Sequence, residues 1–232
     1  MWNTILFDLD GTLTDPKEGI TKAVALALAH FGIQEDPDRL THFIGPPLDE
    51  SFPEFYGFDR EQVDIATGVF REYYARQGWR ENIPYPGAAE LLRDLKAAGR
   101  TLMIATSKPE GMAVQILEHF GMAPYLDRIC GAPLDNQEGA KKASVIRSAL
   151  RYAPPGPVVM VGDRRHDVAG AHETGLPCVG VLYGYGSREE LERAGAEVIA
   201  EDLEALKECL LSSARGLRGP GHPAVTFPTG EK

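Results

Sequence analysis

The sequence predicts an α/β fold: a doubly wound parallel sheet whose chain carries a helical insertion after the first strand. Three observations predict it. Short runs rich in Val, Ile and Leu recur between helical stretches. These runs are continuously apolar, as strands buried on both faces are, and do not alternate. One gap of about 70 residues between the first and second runs shows only helical periodicity, longer than an ordinary crossover needs.

The strand candidates are residues 4–7, 101–105, 128–131, 158–161 and 178–182, with a weaker sixth at 197–200. Helical punctuation between them is legible. Residues 87–98 carry Leu91, Leu92 and Leu95 and stop at Gly99, and residues 109–120 are followed by Gly121. Within the insertion, Asp15, Pro16 and Glu18 supply an N-cap, a proline at the first helical position and a glutamate at the third. Ile20, Ala23, Val24, Ala27, Leu28 and Phe31 then form one stripe ended by Gly32. A second long helix opens at Asp59, with Gln62 three residues on, and carries Val63, Ala66, Phe70, Tyr73 and Tyr74. The expected organisation is a catalytic core of residues 1–14 and 85–212, a helical cap of residues 15–84 and a Gly/Pro-rich tail from 213 to 232. The expected hinges are residues 14–16 and 83–87.

Composition narrows the function. The 232 residues are 43% hydrophobic with a formal net charge of −10, and Lys and Arg are scattered rather than clustered. Nucleic-acid phosphates and anionic lipid surfaces both call for a basic footprint, so neither is an expected partner. No apolar run approaches the roughly 20 residues that span a bilayer, and no basic region precedes the first apolar run, so a cytoplasmic location is expected. Cys130, Cys178 and Cys209 have no metal or disulfide spacing. Small molecules are the expected ligands, and the sequence leaves monomer and homodimer equally open.

The chemistry concentrates at strand ends, where open α/β sheets bind ligands. Asp8-Leu9-Asp10-Gly11-Thr12 follows the first strand. A turn accounts for Asp10-Gly11 but not for Asp8, which stands where a buried apolar side chain is expected. Thr106 and Ser107 precede a helix start, offering a hydroxyl and free amides to a phosphate, although Ser107 with Glu110 also reads as a plain capping box. Asp163 and Asp167 lie one turn apart after the fourth run. Carboxylates gathered this way repel unless a cation compensates them, and an all-oxygen donor set suits Mg²⁺. Of the adjacent Lys141 and Lys142, only Lys142 shares a helical face with Val145, Ile146 and Ala149, so it is the expected counter-charge to phosphate.

In this order the four segments resemble the haloacid dehalogenase superfamily of aspartate-nucleophile hydrolases, in its branch with a helical cap, over residues 2–211. Asp15 to Ile20, the loop from Ile44 through Gly45, Pro46 and Pro47 to Leu48, and Tyr85-Pro86-Gly87 look most like its phosphoglycolate phosphatase-like members. The resemblance implies a Rossmann-like core and a Mg²⁺-dependent phosphatase for a small phosphorylated metabolite, of phosphoglycolate or nucleoside 5′-monophosphate type. It implies Asp8 as nucleophile, Asp10 as general acid and base, and Thr106 and Lys142 as catalytic phosphate contacts aided by the amides near Leu9, Asp10 and Ser107. Metal ligation would fall to the Asp8 carboxylate, the Asp10 carbonyl and Asp163, with Asp167 acting through water or by orienting Lys142. Gly45, Pro46 and Pro47 would form a specificity loop, while Lys17 and Arg71 are weak cap candidates. A dehalogenase needs neither Asp10 nor the Asp163/Asp167 pair. A phosphonatase would need a Schiff-base lysine such as Lys22 in a desolvated setting. A sugar phosphomutase shares the core residues and stays as the alternative, as does a non-catalytic binding module, against which the cost of four gathered carboxylates weighs.

Overall fold

The computed structural model describes residues 2–133, 139 and 141–212, so the Gly/Pro-rich tail at 213–232 lies outside the described residues. The chain runs β1 (Thr4–Phe7), β2 (Thr14–Asp15), α1 (Lys17–His30), α2 (Leu48–Tyr56), α3 (Arg60–Arg76), β3 (Ile83–Pro84), α4 (Ala88–Ala97) and β4 (Thr101–Pro109). It continues through α5 (Glu110–His119), β5 (Arg128–Ala132), α6 (Lys142–Leu150), β6 (Val158–Gly162), α7 (Arg165–Glu173), β7 (Cys178–Val181), α8 (Arg188–Ala194), β8 (Val198–Ala200) and α9 (Leu203–Leu211).

Six strands form one parallel sheet in the order β5-β4-β1-β6-β7-β8. This is the doubly wound order in which the winding direction reverses beside β1, between β1 and β6. The strands are continuously apolar because each face has its own cover. Ile5, Phe7, Ile104, Val159 and Val161 pack with Leu91, Leu92 and Leu95 of α4, Ile116 of α5 and Leu206 of α9. Leu6, Met103 and Met160 pack on the other face with Val145 and Ile146 of α6 and Val168 of α7. Each fully buried Leu, Ile or Phe in these layers contributes about 1.5–3 kcal/mol.

Residues 15–84 supply α1, α2 and α3 and add no strand to the large sheet. Their apolar stripe lies as read, with Ile20, Val24 and Leu28 of α1 and Val63 and Ala66 of α3 buried together. The Asp59 cap is complete: its carboxylate accepts from Gln62 N at 2.9 Å, and the Gln62 side chain accepts from Asp59 N at 3.0 Å.

Several expectations need correction. The two crossings expected as hinges, 14–16 and 83–87, carry an unforeseen antiparallel ribbon in which Thr14 pairs with Pro84 and Asp15 with Ile83. Two-residue strands are too short to leave a periodic signal. Helix α2 was not foreseen, because Pro53 inside it reads as a breaker. Helix α1 begins one residue later than expected, with Pro16 in the cap position and Asp15 Oδ1 accepting from Lys17 N at 2.9 Å. Strand β4 runs on to Pro109, so Ser107 is a strand residue and caps nothing, and α5 starts at Glu110 with no side-chain cap.

Candidate active site

The loop after β1 enters the crevice with Asp8 N still on the sheet, donating to Val161 O at 2.9 Å. The chain then turns sharply, with Thr12, Leu13 and Thr14 all returning amides to Leu9 O. Gly11 is required here: its φ is +81°, and a Cβ would come within 2.2 Å of the Asp163 carboxylate. The turn thus lays the β1 loop directly on the residue that ends β6. Asp8, Asp10, Asp163 and Asp167 are all buried, at 5%, 9%, 0% and 1% exposure.

Asp8, Asp163 and Asp167 each bring a carboxylate oxygen within 4.8 Å of the others. One ammonium stands among them. Lys142 Nζ lies 2.8 Å from Asp8 Oδ1 and 2.8 Å from Asp167 Oδ1, and donates to Ala105 O at 3.2 Å. The helical-face argument for Lys142 agrees with this placement, since Val145, Ile146 and Ala149 are buried beside it. Burial would lower the Lys142 pKa, but Asp167 and Asp8 outweigh it and the amine is held above its ordinary range. Among the described residues, three carboxylates against one lysine leave excess negative charge in a buried space. Asp163 is accordingly held well above the usual carboxylate range, by burial first and then by Asp167 and Asp8. Asp167 is pushed up to about 6, chiefly by burial, with Lys142 pulling the other way. A divalent cation in that space would relieve the repulsion, and the all-oxygen donors suit Mg²⁺. Asp167 is already engaged on both oxygens, by Lys142 and by Arg164 N at 3.0 Å. That arrangement suits orientation of Lys142 more than direct ligation.

Asp10 lies apart from this cluster. Its Oδ2 is 2.6 Å from Lys108 Nζ, and burial raises its pKa against the lowering effect of Lys108. Thr106 is 2% exposed on β4, two residues beyond the Ile104 rung that pairs with Phe7, and its hydroxyl accepts from Lys108 N at 3.3 Å. Ser107 is half-buried next to it, and Leu9 is fully buried. Gly45, Pro46 and Pro47 lead into α2. Gly45, at φ +102°, lies against Arg164, whose Cγ a Cβ would approach to 2.9 Å. Lys17 pairs with Asp38 at 2.7 Å on the surface, and Arg71 is exposed. Lys22 pairs with Glu81 at 3.0 Å and its pKa is raised by Glu18 and Glu81, the opposite of what a Schiff-base lysine requires.

Several participants escaped the sequence. Lys108 reads as a helix-start lysine. Arg164 donates to Ile44 O and, through Nε, to Glu190 at 3.0 Å, bridging the β6 loop to the helical segment. His166 comes within 3.8 Å of Glu50 in α2. Tyr185 N donates to Asp163 Oδ2 at 2.8 Å, its hydroxyl bonds Asp15, and the Tyr183 hydroxyl donates to Thr12 O at 3.0 Å. The Gly-Tyr-Gly run around Tyr185 is the one local hint of a loop laid close to another backbone.

Comparison with known proteins accords with this geometry. The family model for the haloacid dehalogenase-like hydrolases matches residues 5–181. A 5′-nucleotidase of Pseudomonas aeruginosa is 44% identical over 211 residues, covering 90% of this chain and 95% of that protein. Tyrosine-protein kinase PtkA of Mycobacterium tuberculosis is 39% identical over 211 residues, covering 89% of this chain and 72% of its own. The crystal structure of a predicted phosphatase from Clostridium acetobutylicum superposes with a TM-score of 0.88 at 46% identity, covering 91% of this chain and 99% of that one. Among the described residues no helix is long and apolar enough to cross a membrane.

Proposed function

The chain belongs to the haloacid dehalogenase-like hydrolases, and from that premise we propose that it is a Mg²⁺-dependent phosphomonoesterase acting on a nucleoside 5′-monophosphate through an aspartyl phosphate on Asp8. The observation that carries the reading is the buried set of Asp8, Asp163 and Asp167 around the Lys142 ammonium. Such a set is costly to fold and suited to holding a cation beside a phosphoryl group. The likeness to the Pseudomonas 5′-nucleotidase over nearly the whole length favours a nucleotide over phosphoglycolate.

The residues divide the work by position. Asp8 attacks phosphorus in line as its carboxylate, and Lys142, fixed between Asp8 and Asp167, draws a nonbridging oxygen toward the nucleophile. Thr106 and the amides near Leu9, Asp10 and Ser107 seat the remaining phosphoryl oxygens. Asp10 gives a proton to the departing alcohol and later takes one from the water that releases phosphate, a role its raised pKa supports. Mg²⁺, held by the Asp8 carboxylate, the Asp10 carbonyl and Asp163, would supply charge neutralisation on the phosphoryl oxygens. Residues 15–84 act as a cap that excludes water, with Gly45, Pro46 and Pro47 facing the leaving group. Residues 1–14 and 85–212 form the core that stays still.

The test is phosphate release from a panel of nucleoside 5′-monophosphates, phosphoglycolate and hexose phosphates, with Mg²⁺ and with EDTA. Nucleotide turnover that EDTA abolishes supports the reading. Phosphate migration within a sugar phosphate, without net release, would assign a phosphomutase instead.

A further inference from the structure

Asp10 is gripped by a ring of buried polar contacts. Lys108 Nζ, 2.6 Å from Asp10 Oδ2, donates to the Tyr74 hydroxyl at 2.9 Å and lies 4.5 Å from the centre of the Tyr74 ring. The Tyr74 hydroxyl also accepts from Asn82 Nδ2 at 2.9 Å, and Asn82 Oδ1 accepts from the Thr14 hydroxyl at 3.3 Å. Thr14 O accepts from Gly11 N at 2.8 Å, which closes the ring on the residue next to Asp10. The members come from different frames: Lys108 from β4, Tyr74 from α3, Thr14 from the first crossing between the sheet and the helical segment, and Asn82 from the residue just before the second. Tyr74, Asn82 and Thr14 are 4%, 3% and 0% exposed, and the Lys108 side chain 6%. Helix α3 therefore cannot shift against the sheet without breaking the Tyr74 contact or dragging Lys108 from Asp10.

The other Asp10 oxygen tells the rest. Asp10 Oδ1 is buried and has no hydrogen-bond partner among the described residues. A carboxyl pinned through one oxygen aims the other, and a buried oxygen left unpaired is costly unless something arrives to bond it.

We propose that Lys108 and Tyr74 are positioning residues that hold Asp10 by Oδ2, so that Oδ1 delivers the proton to the leaving oxygen, and that the grip is complete only while α3 is docked. The inference rests on Asp10 as the general acid of the proposed phosphomonoesterase. As the bond from Asp8 oxygen to phosphorus forms and the ester P–O bond breaks, the proton on Oδ1 passes to the departing alkoxide. The products are the aspartyl phosphate on Asp8, the free alcohol and an Asp10 carboxylate, whose new charge lies against the Lys108 ammonium. No other co-reactant is needed.

Leaving-group dependence separates positioning from general structural damage. An alkyl leaving group, as in a nucleoside 5′-monophosphate, needs the proton, whereas p-nitrophenolate departs nearly without it. With full-length protein and Mg²⁺, Tyr74→Phe lowers kcat/KM for the nucleotide about tenfold, the scale of one lost hydrogen bond to a charged group. Its loss with p-nitrophenyl phosphate stays within a factor of about two. Lys108→Met widens the same gap to about 10²-fold. Thermal melts confirm that each variant is folded, and Tyr74→Phe, which keeps the ring under Lys108, carries the test if Lys108→Met does not fold. Asp10→Asn is the reference. If it discriminates the two esters while Tyr74→Phe slows both equally, the positioning role is overturned. If Asp10→Asn itself fails to discriminate them, the acid assignment beneath it falls instead.

Discussion

Asp8 and Asp10 are separated by one residue, yet they belong to different mechanical frames. Asp8 is held by Lys142 at the start of α6, with Asp167 of α7 behind it, and every one of these groups sits on the sheet or on a helix packed against it. Asp10 is held by Lys108, whose other partner is Tyr74 on the helical segment. In the proposed mechanism the nucleophile is thus prepared whether or not that segment is docked, while the acid is complete only when it is. The difference teaches where chemistry and recognition can be varied independently. Removing Lys142 from the charge cluster leaves buried carboxylates without their counter-charge, whereas contacts that cross to the helical segment can be weakened singly.

The largest expected effect breaks the Asp8 side. Asp8→Asn lowers Mg²⁺-dependent phosphate release by about 10³-fold or more, measured by steady-state assay, since the proposed acyl phosphate forms on that carboxylate. Full activity in that variant would sink the nucleophile assignment. Lys142→Met follows, with a fall of about 10²–10³-fold in kcat/KM and a loss of about 3–5 kcal/mol in denaturant unfolding, because Asp8 and Asp167 are left buried without their counter-charge.

A pH experiment sharpens the same side. The folded pKa of Asp167 is raised to about 6 from an ordinary value of 3.8, so its protonated form favours the folded state. That stability is fully present below about pH 4 and is lost as pH rises through about 6. In metal-free buffer, Asp167→Asn therefore melts higher than the parent at pH 7 and close to it at pH 4, and added Mg²⁺ narrows the gap at pH 7 because it relieves the larger charge excess of the parent more than that of the variant. A gap that is flat with pH would contradict the charge excess.

Smaller effects belong to the contacts with the helical segment. Arg164→Ala removes the bond to Ile44 O and the contact with Gly45, and raises KM for the nucleotide by about tenfold with little change in kcat. An equal loss in kcat would place Arg164 in the chemical step. The smallest expected effect is Asp59→Ala, which removes the exposed cap of α3 at a cost of about 1 kcal/mol in stability while phosphate release from the folded protein stays within about twofold.

The fold was legible because its signals are local. Continuous apolar runs, helix stripes and the Asp59 cap repeat at short spacing, and each matches an element in place. What was misread lacked such a repeat. The two-residue β2/β3 ribbon, helix α2 with its internal Pro53, and the strand continuation through Ser107 are each decided by neighbours distant in sequence.

By itself the sequence determined the doubly wound sheet, the placement of Asp8, Asp10, Asp163 and Asp167 at strand ends, and the preference for Lys142 over Lys141. Residue type and spacing suffice for these, since a strand end in such a sheet opens on one crevice. Only the tertiary structure decided that Lys108 pairs with Asp10 and Tyr74, that Arg164 reaches Ile44, and that the Tyr185 amide supports Asp163. These partners lie 22 to 120 positions apart along the chain, or on opposite sides of the crossings, and no pattern in the sequence encodes who meets whom across that distance. A buried charge must find its complement in space, and the packing of the helical segment on the sheet sets which complement is in reach.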